Sequence, residues 1–180
     1  MIKRTNAIQQ AMTLRGMLDE SQLYFLYDLA EKAVDGTAVE CGVLYGRSLA
    51  AWAPKRKGRG EIVAVDCWQR GDKQHQAFLF NMTQLQMQCR TISGNSWEVA
   101  DQVGPTAFCF IDACHGPEGI GRDVPVWTAK IVAGGIIAFH DYGTWKCPAV
   151  KEAVDRWQKV ARWEEMGLVG ATMAYRRPER

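Results

Sequence analysis

The sequence predicts an α/β protein, a single domain on a doubly wound, mostly parallel sheet that ends in an antiparallel C-terminal hairpin. Three observations carry that prediction. Short apolar runs alternate with segments whose apolar residues recur at helical spacing, the pattern of strand–helix–strand units. Acids close four of those runs, at Glu40, Asp66, Asp112 and Asp141. Near the end, two strand-like runs are separated by Gly167 and Gly170, with no helical pattern between them. The 180 residues are 47% hydrophobic and 23% charged, which suits one soluble domain with a substantial core.

Residues 1–18 are polar and are expected as an N-terminal arm, with the domain occupying 19–180. Asp19 is a candidate cap for a helix whose Leu23, Leu26, Tyr27, Ala30, Ala33 and Val34 share a face. Asp35-Gly36 ends that helix, and a first strand follows over 37–41. Gly46 opens a helix that Pro54 stops. A second strand is expected over 61–66, then a polar loop from Cys67 to His75, with His75 at the surface. Residues 76–88 read as a helix carrying Phe78, Leu79, Met82 and Leu85 inward.

A third strand covers 90–93, and a short helix begins at Glu98. The fourth strand, 107–112, is a continuous apolar run closed by Asp112, as in a central strand covered on both faces. The crossover over 117–132 places Ile120, Val124, Trp127 and Ile131 on one stripe, and Pro125 either kinks it or marks its first turn. Gly134-Gly135 leads into a fifth strand over 136–139. Pro148 has the position of a first helical residue, before Val150, Ala153, Val154 and Trp157 on one face.

Composition excludes several classes. A net charge of +2 is too small to argue for a nucleic-acid partner, and Lys55-Arg56-Lys57-Gly58-Arg59 reads as a solvated turn. The six cysteines lack paired metal or redox spacing and read as small buried residues in a reducing compartment. No apolar run reaches membrane-spanning length and residues 1–10 lack the apolar core of a signal peptide, so a cytoplasmic protein without a membrane is expected.

The chemistry gathers at strand ends. Glu40, Gly42 and Gly46 form a strand–turn–helix in which glycine tolerates positive φ and lets a nucleotide-like ligand approach the main chain; close packing alone is the other use for such glycines. Asp66, twenty residues after Gly46, is placed to accept both hydroxyls of a ribose. Asp112 and Asp141 fall on the same rim, where open α/β sheets bind ligands.

Four stretches, taken together, resemble a known family: Val39-Glu40 with Gly42 and Gly46-Arg47-Ser48; Val65-Asp66-Cys67-Trp68; Phe110-Ile111-Asp112 with His115; and Gly134 through Tyr142. In order and spacing they are similar to the class I S-adenosylmethionine-dependent methyltransferases, over about residues 20–160 and closest to the small-molecule O-methyltransferases of the catechol and macrolide-sugar types. The resemblance implies a Rossmann-like sheet, with the hairpin as its sixth and seventh strands. It implies that Glu40, Gly42, Tyr45, Gly46 and Ser48 surround the methionine part of the cofactor and that Asp66 holds the ribose. Cys67, Trp68, Ser96 and Trp97 would border the adenine, although both tryptophans suit core packing equally.

It further implies an O-methyltransferase acting on a small hydroxylated substrate. Asp112 and Asp141 are hard ligands for Mg²⁺ or another divalent cation. The pattern departs from the catechol enzyme at Tyr142, which replaces an amide ligand, so the third ligand is His140, another group or none; imidazole shifts the preference towards a transition metal. Asp112 with His115 is the candidate catalytic pair, His115 being the base or else a cap on the following helix. The substrate lid would come from residues 1–20, 68–80 or 143–147, or from a partner subunit in a homo-oligomer. A nicotinamide-dependent oxidoreductase and a non-catalytic cofactor-binding assembly domain are the alternative readings.

Overall fold

The computed structural model describes residues 4–179, so residues 1–3 of the expected arm, and Arg180, lie outside the described residues. Helix α1 (Arg4–Met12) occupies much of the remaining arm segment, with Ala7, Ile8 and Ala11 buried. Helix α2 (Glu20–Lys32) starts at its expected cap. The Asp19 carboxylate accepts the Gln22 backbone N–H at 3.0 Å, while Gln22 Oε1 accepts the Asp19 N–H at 3.1 Å, so each satisfies an otherwise orphan donor.

Strands β1 (Thr37–Cys41), β2 (Ile62–Asp66), β3 (Arg90–Ser93) and β4 (Thr106–Ile111) lie within a residue of their expected bounds. Between them lie α3 (Arg47–Trp52), α4 (Asp72–Gln84) and α5 (Ser96–Val99). Helix α6 (Pro117–Lys130) runs directly into β5 (Ile131–Phe139), and α7 (Pro148–Ala161), β6 (Glu164–Val169) and β7 (Thr172–Arg176) follow.

The sheet has the order β3-β2-β1-β4-β5-β7-β6. The first five strands are parallel, and β7 runs antiparallel between β5 and β6, as the expected hairpin requires. Because side chains alternate along a strand, β4 sends Phe108 and Phe110 into a core with α1–α4, and Cys109 and Ile111 into a second core with α6 and α7. Trp52 of α3 meets Phe108 edge-on at 5.1 Å in the first core. Chain direction across the sheet reverses between β1 and β4. Such a switch point opens a crevice beyond the strand ends, and the acids gather there.

Five details differ from expectation. The basic stretch is not a solvated turn: the Arg56 side chain is fully buried and donates to the carbonyls of Ala30, Ala33, Val34 and Gly36, closing the end of α2, where Arg59 also donates to Ala33 O at 2.6 Å. Helix α4 begins at Asp72, four residues early, and turns Phe78 and Met82 inward while Leu79 faces solvent. His75 is half-buried rather than on the surface, since its ring stacks on Trp68 with centroids 4.2 Å apart. Strand β5 begins at Ile131 because a register jump opposite Thr106–Phe108 absorbs Gly134-Gly135. Only Cys41 and Cys109 are buried; Cys67 is exposed and the other three are half-buried. Pro125 sits inside α6, past its first turn. Among the described residues no helix is long and apolar enough to cross a membrane.

Candidate active site

At the switch point the chain leaves β1 through Gly42, whose φ is 88°. An added Cβ there would lie 2.0 Å from the Asp112 carbonyl oxygen, so glycine is required by close approach as well as by conformation. Gly46, also at positive φ, opens α3, and a Cβ there would meet Met82 Cε at 2.4 Å. The Leu44 N–H donates to Asp66 Oδ2 at 2.9 Å and the Trp68 N–H to Asp66 Oδ1 at 2.7 Å. One carboxylate thus holds the loops after β1 and β2 together; Gln74 Nε2 also donates to Oδ2 at 3.4 Å, and Oδ1 keeps acceptor capacity.

Beyond these loops lies a cavity of about 260 Å³, walled by Gly42, Asp66, Cys67, Ser96, Trp97, Asp112 and His115, with the exposed Met17 at its lip. That is close to the lower end of ligand-pocket volumes, about 300 Å³. Of the residues expected around a cofactor, Gly42, Asp66, Cys67, Ser96 and Trp97 line this space; Glu40, Tyr45, Gly46, Ser48 and Trp68 do not.

Glu40 points into the core, accepting from Ser48 Oγ at 2.5 Å and from the Trp52 indole N–H at 2.6 Å. Burial pushes its carboxyl up to about 8, against the pull of those two donors. The Tyr45 carbonyl accepts from Asn81 Nδ2 at 2.9 Å, and its ring lies under the Arg15 guanidinium. Trp68 donates its indole N–H to Ser93 Oγ at 2.9 Å.

The second part of the site is an acid–imidazole cluster. Asp112 Oδ1 lies 3.1 Å from His115 Nε2 and 3.0 Å from His140 Nδ1. Asp141 Oδ2 lies 3.3 Å from the same His115 nitrogen and 3.6 Å from the same His140 nitrogen. Two adjacent strand ends build this corner: the Asp112 N–H bonds Cys41 O and the His140 N–H bonds Ile111 O, continuing the ladder one step past the last paired residues. The four ligand atoms all fall within 4.8 Å of one another, a donor set that fits a divalent cation. Burial opposes charge on His140, but its hydrogen bonds to Asp112 and Asp141 prevail and push it up to about 10. The hydrogen bond to Asp112 likewise raises His115, and that to His140 holds Asp141 below the usual carboxylate range. Two carboxylates here draw in positive charge, which protons or a metal ion can supply.

Sequence reasoning missed Asp123. Its fully buried carboxyl accepts from Ser96 Oγ at 2.5 Å and so braces the cavity wall from α6; burial raises its pKa to about 6. A signal existed, since this acid stands inside the apolar stripe of Ile120, Val124 and Trp127, where a charge needs a partner.

A family model described as a methyltransferase domain matches residues 39–142. Similar solved structures include a methyltransferase from Podospora anserina with S-adenosylhomocysteine bound, at 17% identity and a TM-score of 0.74 over 98% of this chain and 88% of that one. An O-methyltransferase from Bacillus cereus in complex with S-adenosylhomocysteine has 16% identity and a TM-score of 0.73, over 94% and 90% of the two chains. The O-methyltransferase TomG from Streptomyces achromogenes, involved in tomaymycin synthesis and in complex with S-adenosylmethionine, has 16% identity and a TM-score of 0.69, over 96% and 88%. At such identities the likeness is one of fold. No curated protein matches the sequence significantly.

Proposed function

The chain belongs to the methyltransferase-domain family, and from that premise we propose that it transfers the methyl group of S-adenosylmethionine to a hydroxyl oxygen of a small acceptor. One observation carries the reading: Gly42, Asp66, Asp112 and His115 line a single cavity. A nucleoside needs the glycine turn and Asp66, and removal of a hydroxyl proton needs Asp112 and His115.

In this reading Asp66 accepts the ribose hydroxyls, with Oδ1 free beside one backbone donor and Oδ2 exchanging the long contact from Gln74 for a hydroxyl. Cys67, Ser96 and Trp97 border the adenine, and the main chain at Gly42 faces the chain carrying the sulfonium. Glu40 and Ser48 act one layer beneath, bonded to each other and to Trp52, and hold the turn rigid. As the acceptor oxygen attacks in line, a C–O bond forms and the C–S bond breaks, leaving a neutral thioether. The hydroxyl proton passes to His115, which Asp112 orients from 3.1 Å.

Asp112, His140 and Asp141 are the residues that would hold a divalent cation, whose chemistry is to lower the pKa of a nearby hydroxyl. The acceptor enters past Met17, which is 83% exposed and offers apolar surface beside the cavity. The test is calorimetry of the full chain with S-adenosylmethionine. Binding that Asp66→Ala weakens supports the proposal, and no heat at millimolar ligand removes it.

A further inference from the structure

We infer that Asp112, His115, His140 and Asp141 form one four-donor cation site in the acceptor-free protein, with His115 as the fourth ligand, selective for a transition ion of the zinc class over Mg²⁺. It rests on the methyl-transfer reading only for the use to which the ion is put; the donor set and its spacing stand without it.

The donor chemistry is two imidazole nitrogens and two carboxylate oxygens. Mg²⁺ takes oxygen ligands in a near-ideal octahedron and keeps much of its water. Imidazole suits zinc, iron, nickel and copper, and zinc takes histidine nitrogen and carboxylate oxygen at four-coordination. His115 and His140 together turn a carboxylate corner into such a shell, and His140 is 8% exposed.

Spacing points the same way. Donors about 2.0–2.2 Å from a zinc ion at tetrahedral angles stand about 3.3–3.6 Å from one another. Four of the six donor separations in the cluster are 3.0, 3.1, 3.3 and 3.6 Å, two of them involving His115 Nε2, and all six are within 4.8 Å. An ion at the centre would exchange the present hydrogen bonds for ligation. His115 is therefore as well placed to ligate as the other three.

The positions are also held from outside the cluster. Asp112 and His140 are fixed by ladder hydrogen bonds of 2.8 and 2.9 Å from their own N–H groups. Asp141 is gripped by Thr144, whose hydroxyl donates to its carbonyl at 3.2 Å. Such preorganisation favours an ion that tolerates few ligands at fixed angles over one that requires six oxygens. One imidazole cannot ligate and accept a proton at once, so the shell is complete only before an acceptor is deprotonated.

The test uses the full chain stripped with chelator and titrated calorimetrically with Zn²⁺, Co²⁺ and Mg²⁺. Zn²⁺ and Co²⁺ are expected to bind at least about 100-fold more tightly than Mg²⁺, and the Co²⁺ form to show the intense visible absorption of four-coordination. His115→Ala, and His115→Gln, which keeps the length without the imidazole, should each weaken Zn²⁺ binding at least about 10-fold and abolish the intense band, with unchanged circular dichroism. Mg²⁺ binding as tight as Zn²⁺, or a Co²⁺ spectrum indifferent to both substitutions, overturns the inference. Because S-adenosylmethionine calorimetry is read separately, a chain that binds cofactor without preferring Zn²⁺ loses only this inference. One that prefers Zn²⁺ but binds no cofactor loses only the methyl-transfer reading.

Discussion

Glu40 and Asp112 stand on neighbouring strands, both near the carboxyl edge, and have opposite fates. Glu40 is still inside the ladder, opposite Ala64 on one side and Phe110 on the other, so its side chain is committed to a face of the sheet and is sealed there with Ser48 and Trp52. Asp112 comes one step after Ile111, the last paired residue of β4, so it leaves the sheet and meets two imidazoles at the cavity. A shift of one or two positions separates an acid that stabilises the fold from one exposed to chemistry. Burial without an ionic partner raises Glu40, whereas the hydrogen bond to His140 holds Asp141 below the usual carboxylate range.

Substitutions at each corner should therefore fail in different assays. At the rim, His115→Ala is expected to lower methyl-transfer turnover by about 10²–10⁴-fold while leaving the melting temperature and S-adenosylmethionine affinity near wild type. A loss of stability of the same order as at Glu40 would erase the contrast. At the hinge between the corners, Gly42→Ala should cost about 3 kcal/mol in urea unfolding, since it combines positive φ with a 2.0 Å approach to a carbonyl.

In the sealed corner, Glu40→Ala should cost about 2–3 kcal/mol by leaving two buried donors without an acceptor, with little effect on the cluster. Its pH signature is distinctive. The carboxyl has an ordinary value of 4.5 and a folded value of about 8, so the folded state holds the proton more tightly. Stability from this group is full below about 4.5, declines as pH rises through that window to about 8, and is level above it. Glu40→Gln should flatten that part of the melting profile, and an unchanged slope would show that Glu40 is ionised in the fold.

The smallest expected effect is at the brace beneath the cavity. Asp123→Asn should weaken cofactor binding a few-fold, about 1 kcal/mol, by loosening the contact with Ser96 Oγ. The loss should be read by calorimetry, with Thr128→Ala on the same helix as the comparison.

Much of the frame was open to a reading of neighbours along the chain. The strand that ends in Asp66, the capped helix after Asp19 and the helix started by Pro148 depend on periodicity, a cap and a proline ring, all within a turn or two of the residue concerned. Arg56 shows where such reading stops: flanked by Lys55, Lys57 and Gly58 it has the composition of an exposed turn, yet it is buried because four carbonyls of a segment twenty or more residues earlier await a donor. His75 and Leu79 were misassigned for a related reason. Once Asp72 rather than residue 76 begins α4, Phe78 and Met82 take the inner face, His75 meets Trp68, and Leu79 turns to solvent.

The candidate site divides the same way. Residue order alone was enough to put glycines, Asp66, Asp112, His140 and Asp141 at strand ends, because a run of apolar residues closed by a polar one says where a strand leaves the core. It could not say that Glu40 turns inward, that Asp123 supports Ser96, or that His115 stands within 3.3 Å of Asp141. Those facts follow from which strands become neighbours and in what register, and ladder pairing between segments far apart in the chain is chosen only when the whole sheet packs.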